Sequence, residues 1–203
     1  MRAGARTPAA WMPLARVVGL AGALLLVACG HSPSTQFYLL GAVRASPPLA
    51  HFAGSPVQLR AVHIPAVLDR VELVSALPGG RLQIDEFRQW GAPMADMIRN
   101  VLSEDLSARL PAGMVAPSQA PAPQGSRGIV VDVLEFQPEA DGSVVLNAAW
   151  TLLAAGPSHP ALSEQRRLQQ SGVGASAGDR VEAMSQLLGQ LADALAQSVR
   201  SAL

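Results

Sequence analysis

The spacing of apolar and polar residues predicts a helix in the middle of the chain. Apolar residues recur there at intervals of three and four, with polar residues opposite them, which is the periodicity of a helix with one buried face. Pro93 marks its start and Pro111-Ala112-Gly113 its end. The apolar face contains Met94, Met97, Ile98, Val101, Leu102, Leu106 and Leu110, and the polar face contains Asp96, Arg99, Asn100, Glu104 and Arg109.

A second amphipathic helix is predicted at the end of the chain. Asp179 is its predicted N-cap and Glu182 stands at the third helical position, which is the arrangement of a capping box. The helix is expected to run almost to Leu203. Its apolar stripe contains Val181, Met184, Leu188, Leu191 and Leu195.

Alternating or short apolar runs predict seven strands around these helices. They are Gln36–Leu40, Val57–Ile64, Val71–Leu77, Arg81–Trp90, Ile129–Phe136, Val144–Leu153 and Leu162–Gln170. Pro78-Gly79-Gly80 and Asp141-Gly142 are typical of tight turns between antiparallel neighbours, and the polar last strand suits a sheet edge. The order of elements predicts an α+β domain in which an antiparallel β-sheet is covered on one face by the two amphipathic helices.

The N-terminal region has the pattern of a lipoprotein signal peptide. Arg2, Arg6 and Arg16 precede the apolar run 17–28, and Leu26-Val27-Ala28-Cys29 reads as a lipobox. The run is shorter than the roughly 20 residues that span a bilayer, so a cleaved signal is predicted. The alternative is a plain signal peptide with an incidental cysteine.

Cleavage before Cys29 divides the chain into a signal peptide (1–28), a lipidated tether (29–34) and one domain (35–203). The similarity to bacterial lipoprotein precursors implies a diacylglycerol thioether on the Cys29 sulfur and an acylated amino terminus. Gly30 then favours sorting to the outer membrane, with the domain on the periplasmic face. Because Cys29 is the single cysteine, no disulfide is expected.

The composition excludes several classes of function. All 15 basic residues are arginines, so chemistry that needs a lysine is absent. Without the three signal arginines the balance is 12 basic against 15 acidic residues, and a nucleic-acid partner, which calls for a basic stripe, is not expected.

The candidate catalytic motifs are weak. Gly174-Ala175-Ser176-Ala177-Gly178 matches the nucleophile elbow G-x-S-x-G, but that fold needs a later histidine and none follows His159. A hydrolase that uses Ser176 is therefore the least favoured alternative. The four histidines lack metal-ligand spacing, and the adjacent carboxylates Asp85-Glu86 and Glu104-Asp105 are expected to be solvated. No enzyme activity, metal or cofactor is predicted, apart from the covalent lipid on Cys29.

Two features are candidates for structural or partner contacts. The segment 62–70 places Pro65, Leu68, Asp69 and Arg70 between two strands. It is interpreted either as a turn in which Asp69 bonds backbone amides or as a contact surface. Trp90, just before the first helix, is expected to anchor the core or a hinge.

The chain resembles the ABC-transport auxiliary lipoproteins of the PqiC/YmbA type in four features and in their order. These are the lipobox, the strand Phe37-Tyr38-Leu39-Leu40, the Pro65–Arg70 turn and Trp90 before a helix. The similarity covers nearly the whole chain after Cys29. The chain departs from the family pattern at Val67 and Val71, where an aromatic residue and a second proline are usual.

The resemblance implies an outer-membrane lipoprotein adaptor that docks on an MCE-domain protein spanning the periplasm, within a lipid-transport system that links the two membranes. The alternative is a TolB-like or LPS-assembly envelope lipoprotein that works independently of MCE transport. A homo-oligomeric ring around a partner channel stays open, because the sequence reveals no oligomer interface.

Overall fold

Eight strands and two helices form the part of the chain that the computed structural model describes, residues 33–43, 54–155 and 160–201. The strands are β1 (Gln36–Tyr38), β2 (Val57–His63), β3 (Glu72–Leu77), β4 (Arg81–Trp90), β5 (Val115–Ala116), β6 (Arg127–Pro138), β7 (Val144–Leu153) and β8 (Pro160–Gln170). The helices are α1 (Met94–Arg109) and α2 (Ala177–Ser201). The α+β class is confirmed. Strand β5 was not predicted, because two residues are too few to show alternation.

The larger sheet has five strands in the order β5-β2-β6-β7-β8. Strands β6, β7 and β8 are antiparallel neighbours, and the predicted turn at Asp141-Gly142 joins β6 to β7. Gly142 has a φ of 78°, in the left-handed region that glycine adopts without strain. Strand β8 lies at the edge, as its polar sequence predicts.

The prediction of an antiparallel sheet needs correction at β2. This strand pairs in parallel with β5 on one side and with β6 on the other. Side chains alternate in the same way in parallel and antiparallel strands, so the sequence pattern cannot distinguish the two. The long connection from β2 to β6, which contains a hairpin and a helix, allows β6 to return in the parallel direction.

A separate sheet of three strands has the order β1-β4-β3. Strands β3 and β4 form the predicted hairpin, and Gly79 and Gly80 in its turn have φ values of 77° and 72°. Strand β1 pairs in parallel with the end of β4, where Tyr38 lies opposite Trp90. The predicted single sheet is therefore divided in two, because β4 pairs with β1 and not with the larger sheet.

Both helices pack on one face of the larger sheet, as predicted. Helix α1 contacts β2, α2 contacts β7 and β8, and the helices contact each other. Along β6, Val131 and Val133 are buried in the core whereas Asp132 between them is partly exposed. The opposite face, here called the polar face, carries cross-strand hydrogen bonds such as the one from Gln165 Nε2 to Asn147 Oδ1, at 3.0 Å.

Helix α2 begins earlier than predicted. Its first residue is Ala177, and the Arg180 N–H donates to the Ser176 carbonyl at 3.2 Å. Ser176 Oγ accepts from the Asp179 N–H at 3.1 Å and donates to Asp179 Oδ2 at 2.6 Å. Ser176 is therefore the N-cap and Asp179 the third helical residue of the capping box. The prediction that Asp179 is the N-cap was wrong by one turn.

An ion-pair network lies between the two helices, with Asp105 and Arg109 buried and the Asp193 side chain 64% exposed. Asp105 is fully buried and Arg109 is 6% exposed, so the predictions that Asp105 is solvated and that Arg109 lies on the polar side of α1 were wrong. Arg109 donates to Asp105 Oδ1 at 3.2 Å, to Asp193 Oδ1 at 2.6 Å and to the Gly189 carbonyl at 2.9 Å. Arg109 follows Leu102 by seven residues and Leu106 by three, so the helical period itself places it on the buried face, where its guanidinium meets these acceptors.

The segment Leu40–Val43, here called the strap, crosses both helices after β1. Leu40 is buried in the core. The Gly41 N–H donates to Ser185 Oγ on α2 at 3.1 Å, and the Val43 N–H donates to Asp105 Oδ1 on α1 at 2.9 Å. The strap therefore joins the small sheet to both helices.

The buried Asp105 carboxyl makes the stability of the fold depend on pH. Burial raises its pKa above the ordinary value of 3.8, although the Val43 N–H and the Arg109 guanidinium act in the opposite direction. Between 3.8 and the raised pKa the folded chain binds more protons than the unfolded chain, so its free energy of unfolding falls as pH rises through this interval. In Asp105→Asn this contribution is absent. Urea unfolding at a series of pH values gives the free energy of unfolding of wild type and variant. The wild-type value minus the variant value should decrease as pH rises from acidic values and then level off. A difference that does not change with pH contradicts the prediction.

Candidate functional site

Backbone hydrogen bonds shape the turn between β2 and β3. The N–H groups of Leu68, Asp69 and Arg70 donate to the carbonyls of Pro65, Ala66 and Leu68, at 2.9, 3.3 and 2.9 Å. The interpretation that the Asp69 carboxylate bonds backbone amides is not what holds this turn, since its carboxylate forms no hydrogen bond with the residues described here. Pro65 ends β2, as the sequence predicts.

The turn presents different side chains to the core and to solvent. Leu68 is 2% exposed and belongs to the core, whereas Asp69 is exposed. Arg70 Nε donates to Glu72 Oε2 at 3.0 Å, and this bond is the main reason why the pKa of Glu72 lies below its ordinary value. Leu68 therefore anchors the turn in the core, and Asp69 is the acidic residue that the turn exposes to solvent.

Trp90 connects this turn to the rest of the fold. Its side chain is buried in the core, and its backbone N–H donates to the Val71 carbonyl at 2.6 Å. The next N–H, that of Gly91, donates to the Tyr38 carbonyl on β1 at 2.8 Å. The structure thus brings Trp90 and the predicted turn together through Val71, immediately before α1.

A cleft lies between the β3–β4 hairpin and the start of α2. It is small, with a volume of about 40 Å³, and Asp85, Arg88, Trp90 and Arg180 are among its lining residues. Asp85 and Arg88 form an ion pair, and Arg180 donates to Ser75 Oγ at 3.3 Å. Both guanidinium groups in the cleft therefore already have partners, and Trp90 beside them is only 6% exposed. Sequence reasoning missed the cleft because its walls come from segments that are far apart in the chain.

The described residues do not assemble a recognisable catalytic centre. Within residues 33–43, 54–155 and 160–201, no three His, Cys, Asp or Glu side chains are grouped so that they could hold a metal ion. Ser176 forms its hydrogen bonds with Asp179 as a helix cap. His63 Nδ1 on β2 lies 2.7 Å from Asp132 Oδ1 on the neighbouring strand β6, and both side chains are exposed. The arrangement gives each of these candidate groups a structural partner.

Cys29 and the predicted signal peptide lie outside the described residues. Among those described, neither helix is both long and apolar enough to cross a membrane.

Two solved structures share this fold. One is an uncharacterized protein that matches with a TM-score of 0.70 and 22% identity, over 82% of this chain and 99% of its own. The other is protein XCC0632 from Xanthomonas campestris, of the DUF330 family, with a TM-score of 0.68 and 15% identity, over 83% of this chain and 96% of its own. These identities show a common fold and no more. No curated protein matches the chain.

The profile of the ABC-type transport auxiliary lipoprotein component matches residues 38–196, from the last residue of β1 into the last turns of α2. It thus spans both sheets, both helices, the Pro65–Arg70 turn and Trp90. The chain belongs to the family of ABC-type transport auxiliary lipoprotein components.

Proposed function

We propose that this chain is an outer-membrane-anchored adaptor of an MCE-type ABC lipid-transport system that links the inner and outer membranes. The observation that carries the proposal is the family match over residues 38–196, which begins nine residues after the lipobox cysteine Cys29. A transport auxiliary component joined closely to a lipidation site suits a subunit held at a membrane surface.

The anchor supplies the physical basis of the mechanism. Lipids on Cys29 and its amino group would confine the domain to the periplasmic face of the outer membrane. Stable anchoring takes more than one acyl chain, which the lipoprotein modification provides. Confinement raises the effective concentration of the domain for a partner that crosses the periplasm, so a modest contact surface is sufficient.

The Pro65–Arg70 turn is the proposed docking element for the MCE-domain protein. Asp69 is exposed, and Val67 and Val71 beside it are 40% and 59% exposed. Buried Leu68 and the backbone hydrogen bonds hold the turn in one conformation, which lowers the entropy lost on binding. In this proposal the subunit docks and positions its partner, and it makes and breaks no covalent bond.

Site-specific photo-crosslinking in intact cell envelopes tests the docking. A photoreactive residue in place of Asp69 is expected to capture an MCE-domain protein. The matched control is the same residue in place of Gln165, which is exposed on the polar face, and it should capture much less. In a Cys29→Ser background the Asp69 crosslink should fall sharply, because the domain loses its anchor and its effective concentration.

Other products would identify other functions. Capture of a β-barrel or assembly factor at position 69, without an MCE protein, would favour the envelope-assembly alternative. A second copy of this chain as the main product would mean that the turn is a homo-oligomer interface. Equal capture from positions 69 and 165 would contradict docking through the turn.

A further inference from the structure

The small sheet has an apolar face that is exposed along β1 and β4, whereas Val74 of β3, opposite Ile84, is 8% exposed. Phe37 on β1 is 68% exposed, and Leu82, Ile84 and Phe87 on β4 are 40%, 42% and 44% exposed. Leu39, just after β1, is 64% exposed. These five residues are called the apolar sheet face. They include the two most exposed large apolar side chains of the described residues.

Strand register shows that Leu82 and Ile84 point away from the helices. Ser75 lies opposite Gln83 and accepts a hydrogen bond from Arg180 of α2, so this pair faces inward. Successive side chains of a strand point to opposite faces. Leu82 and Ile84, on either side of Gln83, therefore lie on the outer face.

A bulge in β4 keeps the apolar residues together on that face. Leu73 of β3 pairs with Asp85, and the preceding residue, Glu72, pairs with Gln89, so residues 86–88 of β4 have no partner on β3. After these extra residues, Trp90 is the residue of β4 that faces the core. Gln89 is then on the outer face, opposite Phe37 in the parallel register with β1, and Phe87 precedes it by two residues. Without the bulge, Phe37 and Phe87 would lie on the opposite face from Ile84.

The apolar sheet face lies where the chain comes from its predicted anchor. Phe37 follows Cys29 by eight residues, and eight extended residues span at most about 29 Å. The headgroup region on one side of a bilayer is several ångströms thick, so the tether is long enough for Phe37 to reach the lipid surface and too short to carry it far away.

We propose that the apolar sheet face rests on the lipid bilayer that holds Cys29, with Phe37 and Leu39 in the headgroup region. The proposal depends on the lipid anchor of the proposed function and adds a second, non-covalent contact. Aromatic and aliphatic side chains on one surface are the chemistry by which proteins lie in a membrane interface. Because the tether already holds the sheet close to the bilayer, each such contact needs to contribute little.

Quenching of an introduced tryptophan by brominated lipids tests the contact. The chain from Cys29 onward is coupled through its single thiol to maleimide lipid in vesicles of phosphatidylethanolamine and phosphatidylglycerol with brominated acyl chains. One variant carries Phe37→Trp, and the matched control carries Gln165→Trp on the polar face. The native Trp90 and Trp150 are 6% and 1% exposed, so they give a common background.

The Phe37→Trp emission is expected to fall by about half or more on brominated vesicles relative to unbrominated ones, as for a residue buried in the interface, and Gln165→Trp should change little. A second reporter, Phe87→Trp, should be quenched as well, which keeps the test valid if one variant folds poorly. Equal, weak quenching of the reporters and the control would overturn the proposal. So would a Phe37→Trp signal already shielded without vesicles and dependent on protein concentration, since a second copy would then cover the face.

Chemical coupling separates this inference from the proposed function. The coupled protein is anchored whether or not cells lipidate Cys29, so a loss of quenching counts against the membrane contact alone. Failure of lipidation in cells would count against the proposed anchor and would leave the vesicle result unchanged.

Discussion

Arg109→Met is expected to lower the free energy of unfolding by about 3–5 kcal/mol, the usual cost of removing one partner from a buried ion pair. The substitution leaves the fully buried Asp105 without its cation. The Val43 N–H would be its only remaining hydrogen-bond donor among the described residues. The Gly189 carbonyl would also lose the guanidinium that bonds it. Methionine fills much of the same volume, so the loss reflects charge and hydrogen bonding more than a cavity.

Urea unfolding followed by circular dichroism measures this effect. Arg167→Met is the control, because Arg167 and Glu135 form an exposed pair with 52% and 40% of their side chains accessible, and such pairs contribute less than about 1 kcal/mol. If the two variants lose similar stability, the buried network is not a major determinant of the fold.

Trp150→Ala is expected to lower the free energy of unfolding by about 3–5 kcal/mol. Trp150 on β7 is 1% exposed, and its indole N–H donates to Ser198 Oγ on α2 at 3.2 Å. Truncation opens a large cavity between the sheet and the helix. It also removes the donor that Ser198, itself 2% exposed, accepts from.

Two further variants separate the contributions at this position. Trp150→Phe retains part of the packing and loses the hydrogen bond, so it should fall between wild type and Trp150→Ala. Phe37→Ala removes an aromatic ring that is 68% exposed and should change stability by less than about 1 kcal/mol. A loss for Trp150→Ala as small as that for Phe37→Ala would contradict this packing.

Periodicity was sufficient to predict most of the elements. Helix α1 begins and ends near Pro93 and Pro111 because proline and glycine limit helices in a way that depends only on local geometry. The alternating runs of β6 and β7 are long, and the burial of every second side chain follows from the period of a strand. The two apolar stripes likewise predicted that both helices cover one face of a sheet.

Features that depend on distant segments could not be predicted in this way. Strand direction and the division into two sheets depend on which strands pair. Asp105 follows Val101 by four residues, so the helical period places it on the buried face, but the Val43 N–H that bonds it and the Gly189 carbonyl that bonds Arg109 come from distant segments. The cap of α2 was misplaced because both Ser176 and Asp179 are good N-cap residues, and the pattern alone does not choose between them.

In the candidate site, too, some features follow from the local sequence and others depend on distant segments. Leu68 and Trp90 could be chosen from the sequence because large apolar residues beside a turn and a helix start commonly enter the core. The exposure of Asp69 follows from the turn geometry, and the role of Val71 in linking the turn to Trp90 appears only in the backbone pairing. The apolar sheet face depends on a bulge in β4, which no local sequence signal marks.

The parallel pairing of β1 with β4 determines how the domain would bear mechanical load. A pull on Cys29 enters the fold at Gln36, the first residue of β1. Force directed along β1 would stretch its hydrogen bonds to β4 together, in shear, instead of opening them one after another. The strap follows β1 and is hydrogen-bonded to α2 through the Gly41 N–H and to α1 through the Val43 N–H, so both helices would share the force. A domain built in this way would resist unfolding when a force acts on the segment that precedes β1.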